Sequence, residues 1–153
     1  MQWTLEVVRV PVADVDRAKE FYAERVGFAV DFDVRPDDEH RFVQLTPPGS
    51  GCSIQLAAGY DDMAPGSLRG LVLVVPDVRA AHAELAARGV ETGGVVVTED
   101  GISYRPARDG DALDNVGFVH FTDPDGNEWA VQQISSRGPA TFDLAVTRVL
   151  DAP

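Results

Sequence analysis

Apolar and polar residues alternate along residues 5–12, and a period of two predicts a half-buried β-strand. One face of this strand carries Val8, Val10 and Val12, and the other carries Val7, Arg9 and Pro11. The uniformly aliphatic face is predicted to pack on a helix. Arg9 therefore belongs to the opposite face, where a polar side chain can reach a ligand.

After Asp14 the apolar residues recur at spacings of three and four, which predicts a helix that ends at Gly27. Three further strands are predicted at 28–34, 41–46 and 52–57. The last two form a hairpin. Residues 5–57 thus have the order β-α-β-β-β.

The second half of the chain repeats this order. Val75–Ala81 resembles Val12–Ala18, and Phe118–Asp125 aligns with Phe42–Gly49. The predicted elements are a strand at 70–76, a helix from Asp77 to Arg88, and strands near 93–98, at 116–122 and at 128–134. An internal repeat of this kind predicts the architecture more strongly than any single element does.

The repeat predicts an α+β fold in which two tandem β-α-β-β-β modules form a single domain, residues 1–153. Its expected parts are a first module at 5–57, a linker at 58–69, a second module at 70–134 and a C-terminal tail at 135–153. Residues 99–115 are predicted to form a long loop within the second module. Loops of this length in a compact domain are often functional.

Composition narrows the choice of partners. The 13 basic and 25 acidic residues give a net charge of −12, which disfavours nucleic acid and anionic membranes. The longest strongly apolar run, Leu71–Val75, is far too short to cross a bilayer. Cys52 is the one cysteine, so no internal disulfide can form, as is typical of cytosolic proteins. We therefore expect a cytoplasmic protein with a small-molecule ligand.

Two motifs carry a resemblance to a known family. They are the run Val-Pro-Val-Ala-Asp-Val-Asp-Arg-Ala-Lys-Glu-Phe-Tyr at residues 10–22 and the turn Asp-Pro-Asp-Gly-Asn at residues 123–127. With the two modules, they resemble the vicinal oxygen chelate superfamily, which includes glyoxalase I, bleomycin and fosfomycin resistance proteins and extradiol dioxygenases. The resemblance covers about residues 5–134. It implies that each module curls into a cup of mixed sheet with its helix on the convex side, and that paired cups in a homodimer enclose the ligand.

The resemblance also implies metal ligands on the first and last strands of each module. The matching positions are Val7, Gly70, Gln55 and Ala130. Valine, glycine and alanine side chains have no lone pair, whereas a divalent metal in such a site needs several nitrogen or oxygen ligands. We therefore expect no metal and no other cofactor.

Strand alternation predicts which side chains line the cup. The predicted ligand-binding residues on strands are Arg9, Gln44, Gln55, Val72, His120 and Gln132. In the loop, Tyr104 and Arg105 are predicted to cover the ligand. His120 is also the candidate catalytic residue, because imidazole can accept or donate a proton near neutral pH.

The charge of the ligand is expected to follow from the same alternation. Asp31 and Asp33 are predicted to share one strand face and to add acid at the rim. The positions that alternation places inside the cup hold Arg9 and no carboxylate. A buried cation would need such a carboxylate as a partner. The ligand is therefore expected to be neutral or weakly anionic, and partly aromatic.

Two functions remain open at this point. The first is binding of a small organic molecule without a metal, in the manner of a resistance protein that sequesters its ligand. The alternative is a lyase, isomerase or dioxygenase of the same superfamily. Such an enzyme would be either metal-free, using His120, or metal-dependent with ligands at other positions.

Overall fold

The computed structural model describes residues 1–57 and 63–136. Residues 58–62 of the predicted linker and residues 137–153 of the predicted tail lie outside the described residues. Within the described residues the chain forms a four-stranded sheet and a five-stranded sheet, each crossed by one α-helix. The α+β fold class predicted from the repeat is confirmed.

The first sheet has the strand order β1-β4-β3-β2. Its strands are β1 (Val7–Pro11), β2 (Ala29–Val34), β3 (Phe42–Thr46) and β4 (Ser53–Ala57). β1 is parallel to β4, and the other pairs are antiparallel. Helix α1 (Val15–Glu20) continues as a π-helical segment, Phe21–Val26, and ends at Gly27 with a positive φ of 89°. The predicted helix end is correct, but its last turns are wider than those of an α-helix.

The second sheet has the order β5-β9-β8-β6-β7. Its elements are β5 (Leu71–Val75), α2 (Val78–Ala87), β6 (Val96–Thr98), β7 (Tyr104–Pro106), β8 (Gly117–Thr122) and β9 (Glu128–Gln133). β7 falls inside the predicted loop 99–115, so the expectation of a loop is wrong for these three residues. The chain turns back after β6, and β7 pairs antiparallel with it at Thr98 and Tyr104.

The two helices begin in the same way, as the sequence repeat predicts. The side chain of Asp14 accepts a hydrogen bond from the backbone N–H of Arg17 at 3.0 Å. The side chain of Asp77 accepts from the N–H groups of Arg79 and Ala80 at 2.9 and 3.0 Å. An aspartate at this position satisfies amide groups that the helix itself leaves unpaired.

Both sheets turn one face to a single hydrophobic core. The first sheet contributes Val10, Val43, Leu45, Ile54 and Leu56, and the second contributes Val119, Phe121, Trp129 and Val131. Tyr22 and Phe28 join the two halves, because their ring centroids lie 5.8 and 5.9 Å from that of Trp129.

The opposite faces of the sheets point away from this common core. The first open face carries Arg9, Phe32, Val34, Gln44, Thr46 and Gln55, and the second open face carries Val72, Tyr104, Phe118, His120 and Ala130. Several large apolar side chains on these faces are exposed, among them Phe32, Val34, Val72 and Tyr104. Within one chain the two open faces therefore lie on separate surfaces.

The turn between β8 and β9 connects the two modules through hydrogen bonds. Oδ1 of the buried Asp123 accepts hydrogen bonds from the backbone N–H groups of Asp125, Gly126 and Asn127, each at 2.9 Å. Its Oδ2 accepts from the Tyr22 hydroxyl at 2.8 Å and from the Asn127 amide at 2.7 Å. The same amide donates to the carbonyl of Pro11 at 2.9 Å, so the turn reaches back to the first strand.

Removal of the Tyr22 hydroxyl is expected to destabilise the fold. Tyr22→Phe deprives Asp123 of a donor and the Trp129 Nε1–H of its acceptor, which lies 2.9 Å away. We expect a loss of about 1–3 kcal/mol in the free energy of unfolding, measured by urea denaturation, because buried polar groups are left unpaired. Tyr104→Phe is the matched control, since that side chain is half exposed. Equal effects of the two substitutions would contradict the role given to Tyr22.

Candidate functional site

Equivalent residues form a row across the middle of each open face. Gln44 lies opposite Gln55 in the β3–β4 pair, and Gln55 lies opposite Arg9 in the β1–β4 pair. On the second sheet, His120 lies opposite Ala130, and Ala130 lies opposite Val72. The prediction that His120 lies near Ala130 is confirmed. In the first row these three residues are polar and Phe32 lies opposite Gln44 on β2, whereas the second row is apolar except for His120.

Three rings come together at one end of the second row. The ring centroid of Tyr104 lies 5.7 Å from those of both Phe118 and His120, with the rings nearly perpendicular. Phe118 and His120 stack at 6.2 Å, with an interplanar angle of 14°. We call Tyr104, Phe118 and His120 the aromatic patch. Such a patch offers a planar ligand both ring faces and ring edges.

Two predicted ligand-binding residues are held by other groups. Gln132 shares the second open face, but its amide donates to the backbone carbonyl of Asn115 at 2.8 Å. Arg105 lies opposite the core residue Val97, so it points to the other face from Tyr104. It donates to Asp111 at 2.8 Å and lowers the pKa of that carboxyl to about 2. The structure thus separates Arg105 from the rest of the predicted set.

The expected pairing of Asp31 and Asp33 on one strand face is wrong. A bulge in β2 between Val30 and Phe32 inserts one residue into the register with β3. An inserted residue reverses the alternation of the side chains that follow it. Asp31 and Asp33 consequently lie on opposite faces of the sheet.

Asp33 lies on the helix side of the sheet. It accepts hydrogen bonds from Arg41 at 2.8 Å and from Lys19 at 2.7 Å, which hold its pKa well below the usual range. Asp31 lies on the first open face, where its Oδ2 accepts from the Thr46 hydroxyl at 2.6 Å and from the Gln44 amide at 3.1 Å. The expectation that this face holds no carboxylate is therefore also wrong. The prediction of a neutral or weakly anionic ligand depended on that expectation, so it no longer follows.

The positions that carry metal ligands in related enzymes do not fit a metal here. Val7 is on β1, Gly70 immediately precedes β5 and Ala130 lies in β9, so Gln55 supplies the one donor side chain among the four. In the part of the chain that the structure describes, no three His, Cys, Asp or Glu side chains come together as a metal site. The donor set is too small for a divalent ion.

Two residues of the site, Phe118 and Asp31, are absent from the predicted ligand-binding set. Phe118 stands two positions before His120 on β8, so strand alternation was a sufficient signal for it. Strand alternation placed Asp31 at the rim, on the same face as Asp33. No glycine marks the bulge in β2 that separates these two residues, and the inserted residue becomes visible only in the pairing with β3.

Comparison with known families decides the relationship that the motifs suggest. The model of the Glyoxalase/Bleomycin resistance protein/Dioxygenase superfamily matches residues 4–131. The chain belongs to this superfamily. The expected resemblance is therefore confirmed over most of the described residues.

Several solved structures share the fold over most of the length of this chain. TnmS3, an antibiotic binding protein from Streptomyces sp. CB03234, is 34% identical with a TM-score of 0.68, covering 88% of this chain and 98% of its own. A glyoxalase/bleomycin resistance protein from the same organism is 35% identical, with a TM-score of 0.65 and coverages of 85% and 100%. A superfamily member from Sphaerobacter thermophilus DSM 20745 is 26% identical, with a TM-score of 0.66 and coverages of 86% and 98%. A search of curated proteins found no match.

Within the described residues, no helix is both long and apolar enough to cross a membrane.

Proposed function

We propose that this chain binds a small, partly aromatic organic molecule without a metal, and so sequesters it. The aromatic patch is the observation that carries this proposal. Its rings stand on the second open face beside Ala130 and Val72, and Val72 is 52% exposed. Exposed aromatic and aliphatic side chains with a few polar neighbours are typical of small-molecule sites.

The space next to this patch is of suitable size. A groove of about 620 Å³ runs along Val72, His120 and Ala130 at the end of the second sheet. Binding sites for drug-sized molecules occupy roughly 300–1,000 Å³. The groove can therefore take two or three fused rings.

The surroundings of His120 favour binding over catalysis. Its ring stacks on Phe118 and meets the edge of Tyr104. Among the described residues no carboxylate forms an ion pair with it that would orient the imidazole as a general base. An imidazole held between rings is suited to stacking with a ligand. The similarity to an antibiotic binding protein at 34% identity supports the same choice.

A homodimer would complete the site. The two open faces lie on separate surfaces of one chain, so a ligand that needs both must meet the first face of one copy and the second face of another. An apolar stripe near the N-terminus is also exposed to solvent. It consists of Trp3, Leu5 and Val7, which recur at the spacing of a strand. A second copy of the chain could bury this stripe.

The dimer is tested by light scattering after size exclusion. We expect a dimer at micromolar concentration, and a shift towards monomer in the double variant Trp3→Ser/Leu5→Ser, because it removes apolar contact area. Ile102→Ser is the control, since this exposed side chain lies in the turn between β6 and β7. A monomeric wild-type protein would contradict the proposal.

Metal independence predicts the metal content of the purified protein. We expect no stoichiometric Zn, Ni, Fe or Mn by mass spectrometry, and no rise in the melting temperature when these ions are added. The reason is the lack of donor side chains at Val7, Gly70 and Ala130. One equivalent of metal that disappears in Gln55→Ala or His120→Ala would overturn this expectation.

Ligand binding is tested with 9-methylacridine, a fluorescent probe of three fused rings with a ring nitrogen that accepts a hydrogen bond. We expect Arg9→Ala and His120→Ala each to weaken binding by about 1–3 kcal/mol in a fluorescence titration, because each removes a polar partner or a ring contact. His82→Ala on α2 is the control for a change of histidine alone.

Two results would count against the proposed function. One is failure of the wild-type protein to bind any acridine probe. The other is tight binding of bleomycin, a polycationic glycopeptide, that is unchanged in Arg9→Ala and His120→Ala, because the ligand would then occupy a different surface.

A further inference from the structure

The carboxylate of Asp31 is held in a defined position on the first open face. Its Oδ2 accepts from Thr46 and Gln44, and the Thr46 hydroxyl also contacts that of Ser53 at 2.6 Å. Ser53 is buried in β4, so the hydrogen bonds through Thr46 connect the Asp31 carboxylate to a fixed side chain of the sheet. Both hydrogen bonds go to the same oxygen, Oδ2.

In residues 1–57 and 63–136, no basic side chain forms an ion pair with this carboxylate. None of the ion pairs among the described residues includes Asp31, whereas Asp33, two positions later, pairs with Arg41 and Lys19. The side chains beside Asp31 on the same face are apolar, namely Phe32 and Val34, and both are exposed. A carboxylate in such a setting must keep its water or receive a donor when the face is covered.

The bulge in β2 puts a carboxylate and an aromatic ring side by side on this face. Asp31 continues the alternation begun at Ala29, and Phe32 after it lies opposite Gln44, so the insertion brings Phe32 to the open side and Asp33 to the helix side. Bulges are frequent near functional sites because they redirect side chains. Here the Asp31 carboxylate lies beside the row of Gln44, Gln55 and Arg9, hydrogen-bonded to Gln44.

The two edges of the first open face carry opposite charges. Asp31 is on β2 and Arg9 is on β1, at the two edges of the sheet, with the two glutamines on the strands between them. Three strand spacings of about 4.8 Å separate these edges, which is roughly 14 Å. A ligand that lies across the sheet towards β2 thus meets a carboxylate.

We propose that Asp31 is the specificity-determining anchor of the ligand site, and that it selects an aromatic molecule carrying a protonated amine or hydroxyl. This inference rests on the proposed function, because it assumes that an aromatic ligand covers the first open face. Beyond the proposed function, it specifies that the ligand carries a hydrogen-bond donor and that this donor points towards β2.

The test compares two probes that differ in one group. 9-Aminoacridine is a cation with N–H donors at neutral pH, and 9-methylacridine has the same three rings, no charge and no donor. Asp31→Asn is expected to weaken binding of the amino probe about tenfold, as for loss of a charge-assisted hydrogen bond, and to change that of the methyl probe less than about twofold. The asparagine can still accept from Thr46 and Gln44, so the local structure is preserved.

Asp33→Asn is the matched control. It removes the same charge from the same strand, but on the opposite face, and should leave the affinities for both probes unchanged below its melting temperature.

The outcomes separate the two proposals. If neither probe binds to the wild-type protein, the proposed function fails and this inference fails with it. If both bind but Asp31→Asn affects them equally or not at all, the proposed function stands and the role of Asp31 is refuted. Equal loss in Asp31→Asn and Asp33→Asn would refute that role too, because it would show a general effect of charge or of strand stability.

Discussion

The buried carboxylate of Asp123 is the constraint on which the rest of the structure depends. A carboxylate with 4% exposure is tolerated only where donors replace its water, and five hydrogen bonds do so here. Three of them shape the turn before β9, while the one from Tyr22 brings the helix of the first module against the second sheet. Burial and the nearby carboxylate raise the pKa of Tyr22 far above its usual range, so the hydroxyl stays a donor.

This attachment also decides which side chains are available to a ligand. Because Trp129 is drawn towards Tyr22 and Phe121 packs against it, the alternating residues of β8 and β9 must point outwards. His120 and Ala130 reach the second open face for this reason. The module interface and the candidate site thus lie on opposite faces of the same strands.

The chain has the fold of its superfamily, and the four positions matched to metal ligands by the sequence resemblance carry only one donor side chain, that of Gln55. Apolar side chains or glycine stand at three of the four positions, and the rows that cross the sheets carry glutamine, arginine, histidine and aromatic rings instead. Shape, stacking and hydrogen bonds can hold a ligand in such a surface. Asp31 and Arg9, at opposite edges of the first sheet, give the first open face a polarity that a purely apolar groove lacks.

The sequence by itself determined the two modules, the helix caps and most of the face assignments. Periodicity and repetition are local properties, and for Arg9, Gln44, Gln55, Val72 and His120 they sufficed to place the side chain on an open face. Only the tertiary structure decided the positions of Asp33, Arg105 and Tyr104. The bulge that turns Asp33 to the helix side arises in the pairing of β2 with β3, and β7 exists because it pairs with β6. Strand pairing joins residues distant in sequence, so its irregularities cannot be read from the pattern of a single segment.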